Sequence, residues 1–374
     1  MKQRTFNILL TVLFCLFIGG MFLGSLILPD RDFSQLENRK LAQTPALSLE
    51  NITTGKFMED AEDYVNDQIL GRDFWVALKA WSERVSGKQE NNGVYFAKED
   101  TLISRVDTPE QSTLDTNAGY VNALVDNVDV PVYFGIIPSA AEIWSDRLPE
   151  GAPTADEKAI IDRLYNEVQT HTIDLYSALA QHKDEDLYYR TDHHWTSLGA
   201  YYGYTALMDA MGLEAVPLDE SQKVTVSEDF YGTLFSSSGV RWLPPDHIDR
   251  YISDEGVTVT AYPNGTPEPG SLYVDSYLEV KDKYSSFLGG NKPLCVIETE
   301  HTDAPKVLVI RDSYADSLAP FLTQNFSEIH LFDPRYNLTS VKDYVTQNEI
   351  DSVVVLYSIS NFTAKDNQMF VLGR

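Results

Sequence analysis

The sequence predicts a three-layer α/β domain with additions, carried behind one N-terminal apolar helix. Three observations predict it. First, Lys306 to Ile310 (KVLVI), Ile329 to Phe332 and Ser352 to Tyr357 (SVVVLY) read as buried strands, with helical stretches at 314–325 and 340–347 between them. Strand–helix–strand–helix–strand with short loops implies parallel pairing through right-handed crossovers. Second, 128–138 (VDVPVYFGIIP) is a further apolar, β-branched run, with Pro131 near its start, as expected of a buried strand. Third, Phe6 to Leu28 carries no charged residue.

Taken in order, the elements begin with that apolar run. At about 1.5 Å per residue it is long enough to cross a roughly 30 Å hydrocarbon core. Lys2 and Arg4 precede it and Asp30 follows, which places the bulk of the chain outside the cell. A cleaved signal is the alternative. However, no small-x-small site closes the run, which ends Ser25, Leu26, Ile27, Leu28, Pro29, and Cys15 lacks the small residues a lipobox would place before it. Residues 29–52 are loop-like. Phe57, Ala61, Tyr64, Val65 and Ile69 recur at helical spacing, as do Phe74, Leu78, Trp81 and Val85 after Gly71. Gly93 to Phe96 reads as a strand, and 108–128 as a helix beginning near Pro109. A helix over 154–170 presents Ile160, Ile161, Leu164 and Val168, with Thr154 and Glu157 spaced as a capping box. After LYYRTDHHWT at 187–196 comes a helix to Met211, capped by Thr196 or Ser197 and stopped by Gly212. Short Val, Thr and Tyr runs between Gly, Pro and Asp turns make 213–304 a β-rich insertion or rim. The predicted organisation is an anchor or signal at 1–28, a helical and extended region at 29–108 packing on the core, and the α/β domain at 109–374.

Composition narrows the function. There are 29 Lys plus Arg against 56 Asp plus Glu, a formal net charge of −27, so the chain repels phosphate backbones and nucleic-acid binding is excluded. Cys15 and Cys295 are the two cysteines and lie far apart in the sequence, which argues against a disulfide framework or a thiolate metal cluster. The chain contains no glycine-rich nucleotide loop or Walker pattern, and no cofactor is expected.

Two features carry chemistry. In KVLVIRDSYADSLAPFL, Ser313 falls where a buried strand gives way to a helix. Helix starts leave backbone N–H groups free and a positive dipole end, and this is the sheet edge where ligands bind. A serine there can be a nucleophile beside an oxyanion site, or a plain helix cap. The second feature is Asp192-His193-His194-Trp195. In an extended segment Asp192 and His194 share one face while His193 and Trp195 take the other. A carboxylate two residues from an imidazole can orient the ring and stabilise its charged form. The alternatives are a structural histidine, or a metal held by Asp192, His193 and His194, although alternate side chains on a strand diverge. With only seven histidines in the chain, an acid, a base and a helix-start serine together form the parts of covalent acyl transfer.

DHHW at 192–195, with RDSY at 311–314, resembles the DHHW family of bacterial surface proteins, itself similar to the SGNH-like domains of periplasmic proteins that O-acetylate alginate. FSQLENRKLAQTPALS at 33–48, TGKF at 54–57, YVNDQILGRDFW at 64–75 and NNGVYFAKEDTLI at 91–103 extend the resemblance over nearly all the chain beyond the apolar run. The resemblance implies an SGNH-hydrolase-like fold with permuted catalytic order, the Asp-x-His pair early and the serine late. It implies Ser313 as nucleophile, His194 as base and Asp192 as orienting acid, and it makes Trp195, the aromatic after the histidine, a candidate surface for substrate or oxyanion contact. Arg311-Asp312-Ser313 departs from the usual Gly-Asp-Ser, so Arg311 and Tyr314 become candidates for substrate or oxyanion contact. Arg311 is also a candidate to pair with Asp316. Gly290 and Asn291 in Gly289-Gly290-Asn291, and Arg335 with Tyr336, are further candidates, each with a turn or rim role as the plainer alternative. Trp144 and Tyr188 are aromatic enough to stack on sugars, but core packing is their default. The implied activity is acetyl transfer to, or ester hydrolysis on, a cell-surface polysaccharide, with a membrane O-acyltransferase as the implied acetyl source. A non-catalytic polysaccharide-binding or assembly role and a metal-dependent hydrolase using Asp192, His193 and His194 are the alternatives.

Overall fold

In the computed structural model, which describes residues 3–374, the strand Lys306–Arg311 turns Val307 and Val309 to one face and Leu308 and Ile310 to the other, all four fully buried. Val354 and Leu356 on Ser352–Ser358 join the first face, and Val353 and Val355 the second. A strand apolar on both faces must be covered on both, and this alternation gives three layers. The chain divides into two units, Met1–Lys88 with Ser236–Trp242, and Gln89–Phe235 with Leu243–Arg374. Met1 and Lys2, and with them one of the two basic residues of the orientation argument, lie outside the described residues.

The larger unit opens with a small antiparallel sheet in which β1 (Val94–Phe96) lies between the two-residue strand Glu90–Asn91 and β2 (Leu102–Ser104). Then follow α1 (Gln111–Asn127), β3 (Val132–Ile137), α2 (Glu157–Glu167), β4 (His171–Thr172) and α3 (Ser197–Met211). Thr196 caps α3 by accepting from the Gly199 N–H, and Gly212 closes it in the left-handed region at φ 68°. The antiparallel ribbon of β5 (Val224–Phe230) and β6 (Asp246–Arg250) comes next, then β7 (Thr258–Ala261), β8 (Glu268–Pro269) and β9 (Leu294–Glu298). The chain ends with β10 (Lys306–Arg311), α4 (Ala315–Leu322), β11 (Glu328–Phe332), α5 (Val341–Gln347), β12 (Ser352–Ser358) and α6 (Ile359–Phe362). The central eight-stranded sheet has the order β8-β7-β9-β11-β10-β12-β3-β4. Pairing from β11 through β4 is parallel, and β9, β7 and β8 add antiparallel. The β-rich texture of 213–304 therefore has two destinations: a separate ribbon, and an extension of the main sheet. One face of the sheet is covered by α3 and α4, the other by α1, α2 and α5.

One expected cap is corrected. The side chain that caps α2 is Asp156, which accepts from the Ala159 N–H, rather than Thr154. Glu157 is fully buried and accepts from the Ser139 N–H (2.8 Å) and hydroxyl (2.6 Å). Burial pushes its carboxyl up to about 7; the Ser139 bonds oppose this and Glu142 adds to it. The unfolded chain loses this proton near the ordinary glutamate value, well before the folded one does. This group therefore contributes stability in acid that is lost as the pH rises from about 4.5 to about 7, worth up to about 3 kcal/mol. Glu157→Gln removes the proton linkage. Urea midpoints for wild type and variant should diverge between pH 5 and pH 7.5, with the variant losing less stability over that interval.

The smaller unit contains α7 (Gln3–Ile27), α8 (Lys56–Gln68) and α9 (Arg72–Val85). Helix α7 is long and apolar enough to cross a membrane, and none of its residues is buried.

Candidate active site

Ser313 sits two residues beyond the C-terminal end of β10, ahead of α4. The turn is held by Asp312, which is fully buried. Its Oδ1 accepts from the Tyr314 N–H (3.1 Å). Its Oδ2 accepts from the Ser358 N–H (2.9 Å), the Ser358 hydroxyl (2.6 Å) and the Asn361 amide (2.8 Å). The turn after β10 is thereby tied to the end of β12. No side chain caps α4, so Ser313 is not spent as a helix cap. Its own N–H has no protein acceptor among the described residues.

The histidine arrives from a narrow loop. Tyr188 bridges Trp195 antiparallel, the Tyr189 N–H donates to the His194 carbonyl, and the Thr196 N–H donates to that of Leu187. The tip, 190–194, is a run of bends rather than strand. It is pinned by Asp246 of β6, which accepts from the N–H groups of Arg190 (3.0 Å) and Thr191 (2.8 Å). Strand alternation therefore does not hold, and the expectation that His193 points away from His194 is corrected. Their rings lie 3.9 Å apart, and His193 Nδ1 bonds the Thr233 hydroxyl at 2.7 Å.

His194 makes the bonds that alternation suggested. Its Nδ1 lies 2.6 Å from Asp192 Oδ1 and its Nε2 2.8 Å from Ser313 Oγ. With Nδ1–H donating to the carboxylate, Nε2 is left as acceptor for the serine hydroxyl. Tyr284 stacks on the imidazole at 3.8 Å and 9° and donates its hydroxyl to the Ser313 carbonyl (3.0 Å). Asp192 Oδ2 accepts from the Thr233 N–H (2.7 Å) and hydroxyl (2.9 Å). Burial alone would raise the Asp192 carboxyl. Attraction to His193 and His194, with hydrogen bonds from His194 and Thr233, outweighs it and holds the group far below the usual carboxylate range. Gly232 permits this approach, since a Cβ there would lie 2.2 Å from Asp192 Cβ.

The remaining candidates divide. Arg311 is fully buried; its Nη1 lies 2.9 Å from Asp316 Oδ1 and donates to Asn291 Oδ1 at 2.9 Å. Burial disfavours its charge, but Asp316 and Asp333 prevail and raise its pKa. Burial pushes Asp316 up to about 6 against the pull of Arg311. Arg335 clasps Asp333 (2.9 and 2.7 Å) and reaches Asn291 Oδ1 at 3.4 Å. Asn291 thus spends its carbonyl on two guanidinium groups, and its NH2 has no protein partner among the described residues. Leu288, Gly289 and Gly290 run consecutively at positive φ to bring the chain to it. Tyr336 is exposed and lies under Arg335. The Trp195 ring is fully buried, and its indole N–H donates to the Tyr314 carbonyl (2.9 Å) and Ser317 Oγ (3.0 Å). It braces the start of α4 and offers no surface to a substrate. Tyr314 is buried and donates its hydroxyl to the His193 carbonyl. Trp144 and Tyr188 pack edge to face in the core.

The sequence reading missed Thr233 and Tyr284 and left Asp312 without a role. Asp312 stood inside the quoted RDSY stretch. The other two lie 39 or more residues from the Asp-His pair or 29 from the serine, and no local pattern marks them. The His193 ring packs against that of His194. Its ring contact is worth roughly 1 kcal/mol, so His193→Ala should slow turnover of a small ester about five- to tenfold while leaving the circular dichroism unchanged.

A three-layer α/β unit with Asp, His and Ser hydrogen-bonded in series at the C-terminal edge of its parallel strands defines the class. Residues 107–332 match the DHHW protein family, and the chain belongs to that family. Its fold is similar to that of a DHHW family protein from Eubacterium siraeum, 26% identical over 75% of this chain and 95% of that one, with TM-score 0.66. It is also similar to Bacillus cereus PatB1, solved with a sulfonyl adduct, at 20% identity, 74% and 98% coverage and TM-score 0.62. The O-acetyltransferase domain of Pseudomonas putida AlgJ is more remote, at 15% identity, 73% and 93% coverage and TM-score 0.45. No curated protein is significantly similar in sequence.

Proposed function

We propose that the chain moves an acyl group, acetyl foremost, to a hydroxyl of a cell-surface polysaccharide, with Ser313 as nucleophile, His194 as base and Asp192 as its orienting acid. The observation that carries this reading is the unbroken series Asp192–His194–Ser313 at 2.6 and 2.8 Å. His194 Nε2 takes the Ser313 proton as Oγ attacks the donor carbonyl, and Asp192 stabilises the imidazolium. The tetrahedral oxyanion falls to the Ser313 N–H, with the Asn291 NH2, the Gly290 segment and Arg311 as further candidates. Collapse expels the donor's leaving group, which takes the proton from His194. The sugar hydroxyl then gives its proton to His194 and attacks the acetyl-serine; collapse breaks the bond to Ser313 Oγ, which takes that proton back from His194, and water in place of the sugar makes the same site an esterase. The acyl-transfer domain on this reading is 109–374, of SGNH type with the Asp-x-His pair preceding the serine and 213–304 inserted. Residues 29–108 form an N-terminal region, and the apolar helix is an uncleaved anchor that keeps the domain outside the cell. A membrane O-acyltransferase supplies the acetyl group, since acyl-CoA is absent there.

The test is covalent capture. A fluorophosphonate added to the full-length protein should modify one peptide, carrying Ser313, with labelling lost in His194→Ala. Absence of the adduct on folded protein counts against the mechanism. Unchanged polysaccharide acetylation in a Ser313→Ala strain leaves the binding or assembly role. A second reading has one observation in its favour: Asp192, His193 and His194 each offer a donor atom, all within 4.8 Å of one another. Metal dependence requires chelator-sensitive turnover and equal loss at His193→Ala and His194→Ala.

A further inference from the structure

We infer that α9, with the end of α8, lies in the lipid headgroup and acyl-chain boundary of the outer leaflet, as a second membrane contact beside the anchor. The inference rests on the anchor reading of α7 and goes beyond the acyl-transfer chemistry.

Phe74, Leu78, Trp81 and Val85 recur every three or four residues along α9, hence on one face, and their exposures are 61%, 39%, 55% and 65%. Met58, Val65 and Ile69 add an exposed apolar row on and just beyond α8. In the larger unit the exposed large apolar residues are scattered singly, as at Val216, Val280 and Leu338. Contiguous exposure of this kind marks a surface made to be covered.

The identity of the cover follows from the ties to α7. The segment leaving that helix is bonded at once to the two shorter helices. Asp30 accepts from the Tyr64 hydroxyl (3.0 Å), the Arg31 N–H donates to Gln68 (3.0 Å), and Arg31 pairs with Asp73 (2.9 Å). Arg39–Asp67 and Arg72–Glu37 pairs, at 2.5 and 2.6 Å, lock the same stretch. The Leu70 N–H donates to Ser25 Oγ (2.9 Å), and the Leu70 side chain fills the space beside Gly24. The Trp75 ring meets Phe17 edge-on at 6.0 Å. Phe17 lies ten residues before Ile27, roughly 15 Å down the helix. If α7 fills a roughly 30 Å hydrocarbon core, the Trp75 ring against Phe17 lies inside the apolar layer, while Leu70 against Ser25 and Gly24 sets the start of α9 near its outer edge. A helix with Phe and Trp on its apolar face is suited to that depth, about 5–10 Å into the boundary, and Trp favours the interface. Lipid is therefore the occupant that the tethering to α7 selects.

The test uses the full-length chain reconstituted in phosphatidylcholine vesicles, with matched vesicles of dibrominated phosphatidylcholine. Brominated lipid should quench a substantial part of the tryptophan emission, and Trp81→Phe should remove at least a third of that quenching. Phe74→Ser with Leu78→Ser, both at exposed positions, should lower the quenching of Trp81 at least twofold. Retention in the membrane after alkaline carbonate reports the anchor separately. Retained protein whose quenching is unchanged by Trp81→Phe overturns the interfacial placement alone. Trp81 shielded from aqueous iodide yet unquenched by bromine assigns the face to a protein instead and also overturns it. Release by carbonate removes the anchor reading, and the placement with it.

Discussion

Ser313→Ala should lower hydrolysis of p-nitrophenyl acetate by about 10⁴-fold or more, because the covalent route disappears with the hydroxyl. The good leaving group makes this ester a fair probe even for a transferase, since a poorly matched donor still acylates an activated serine. His194→Ala should lose nearly as much. The two losses should not add in the double variant, because base and nucleophile act as one unit. The substitution at Ser313 removes one hydroxyl from a half-buried position whose backbone is held by Asp312 and Tyr284, so the fold should survive. Circular dichroism and the urea midpoint check this. Undiminished turnover by folded Ser313→Ala would end the acyl-serine mechanism.

Asp192→Asn should cost up to about 10⁴-fold in kcat with little change in KM. The carboxylate now takes four hydrogen bonds, from the His194 ring and N–H and from the Thr233 N–H and hydroxyl. An amide keeps one acceptor and gains a donor. Facing His194 with NH2, it would favour the tautomer that protonates Nε2, and the ring could no longer accept from Ser313. Facing Thr233 with NH2, it would oppose a backbone N–H in a buried site. Steady-state kinetics on the activated ester separate this from a binding defect. A kcat within threefold of wild type would mean that Asp192 only packs.

Much of this arrangement is legible along the chain. The runs KVLVI and SVVVLY announce strands buried on both faces, and the cap and stop of α3 at Thr196 and Gly212 are local chemistry. The pairing of Asp192 with His194 is likewise a two-residue relation. Its geometric premise failed, however, because 190–194 is not extended. The bond forms because the loop tip folds around Asp246 and Thr233, residues 41 to 55 positions away. The same folding places His193 against His194, which strand periodicity excluded. Glu157 shows the converse. Its spacing from Thr154 suits a capping box, yet tertiary packing buries it against Ser139 and hands the cap to Asp156.

What the sequence determined by itself was therefore local: which runs are strands or helices, where helices begin, and that an acid, an imidazole and a helix-start serine are present. These depend on periodicity and on neighbours within one turn. Only the tertiary structure decided which partners complete the site. Tyr284 stacks on His194, Thr233 holds Asp192, and Asp312 ties the serine turn to β12 at Ser358 and Asn361. Trp195 was turned from a candidate surface into a buried brace for α4. Each of these contacts closes a loop of 41 residues or more. Such contacts are selected by the simultaneous packing of several elements, and no short stretch of sequence encodes them.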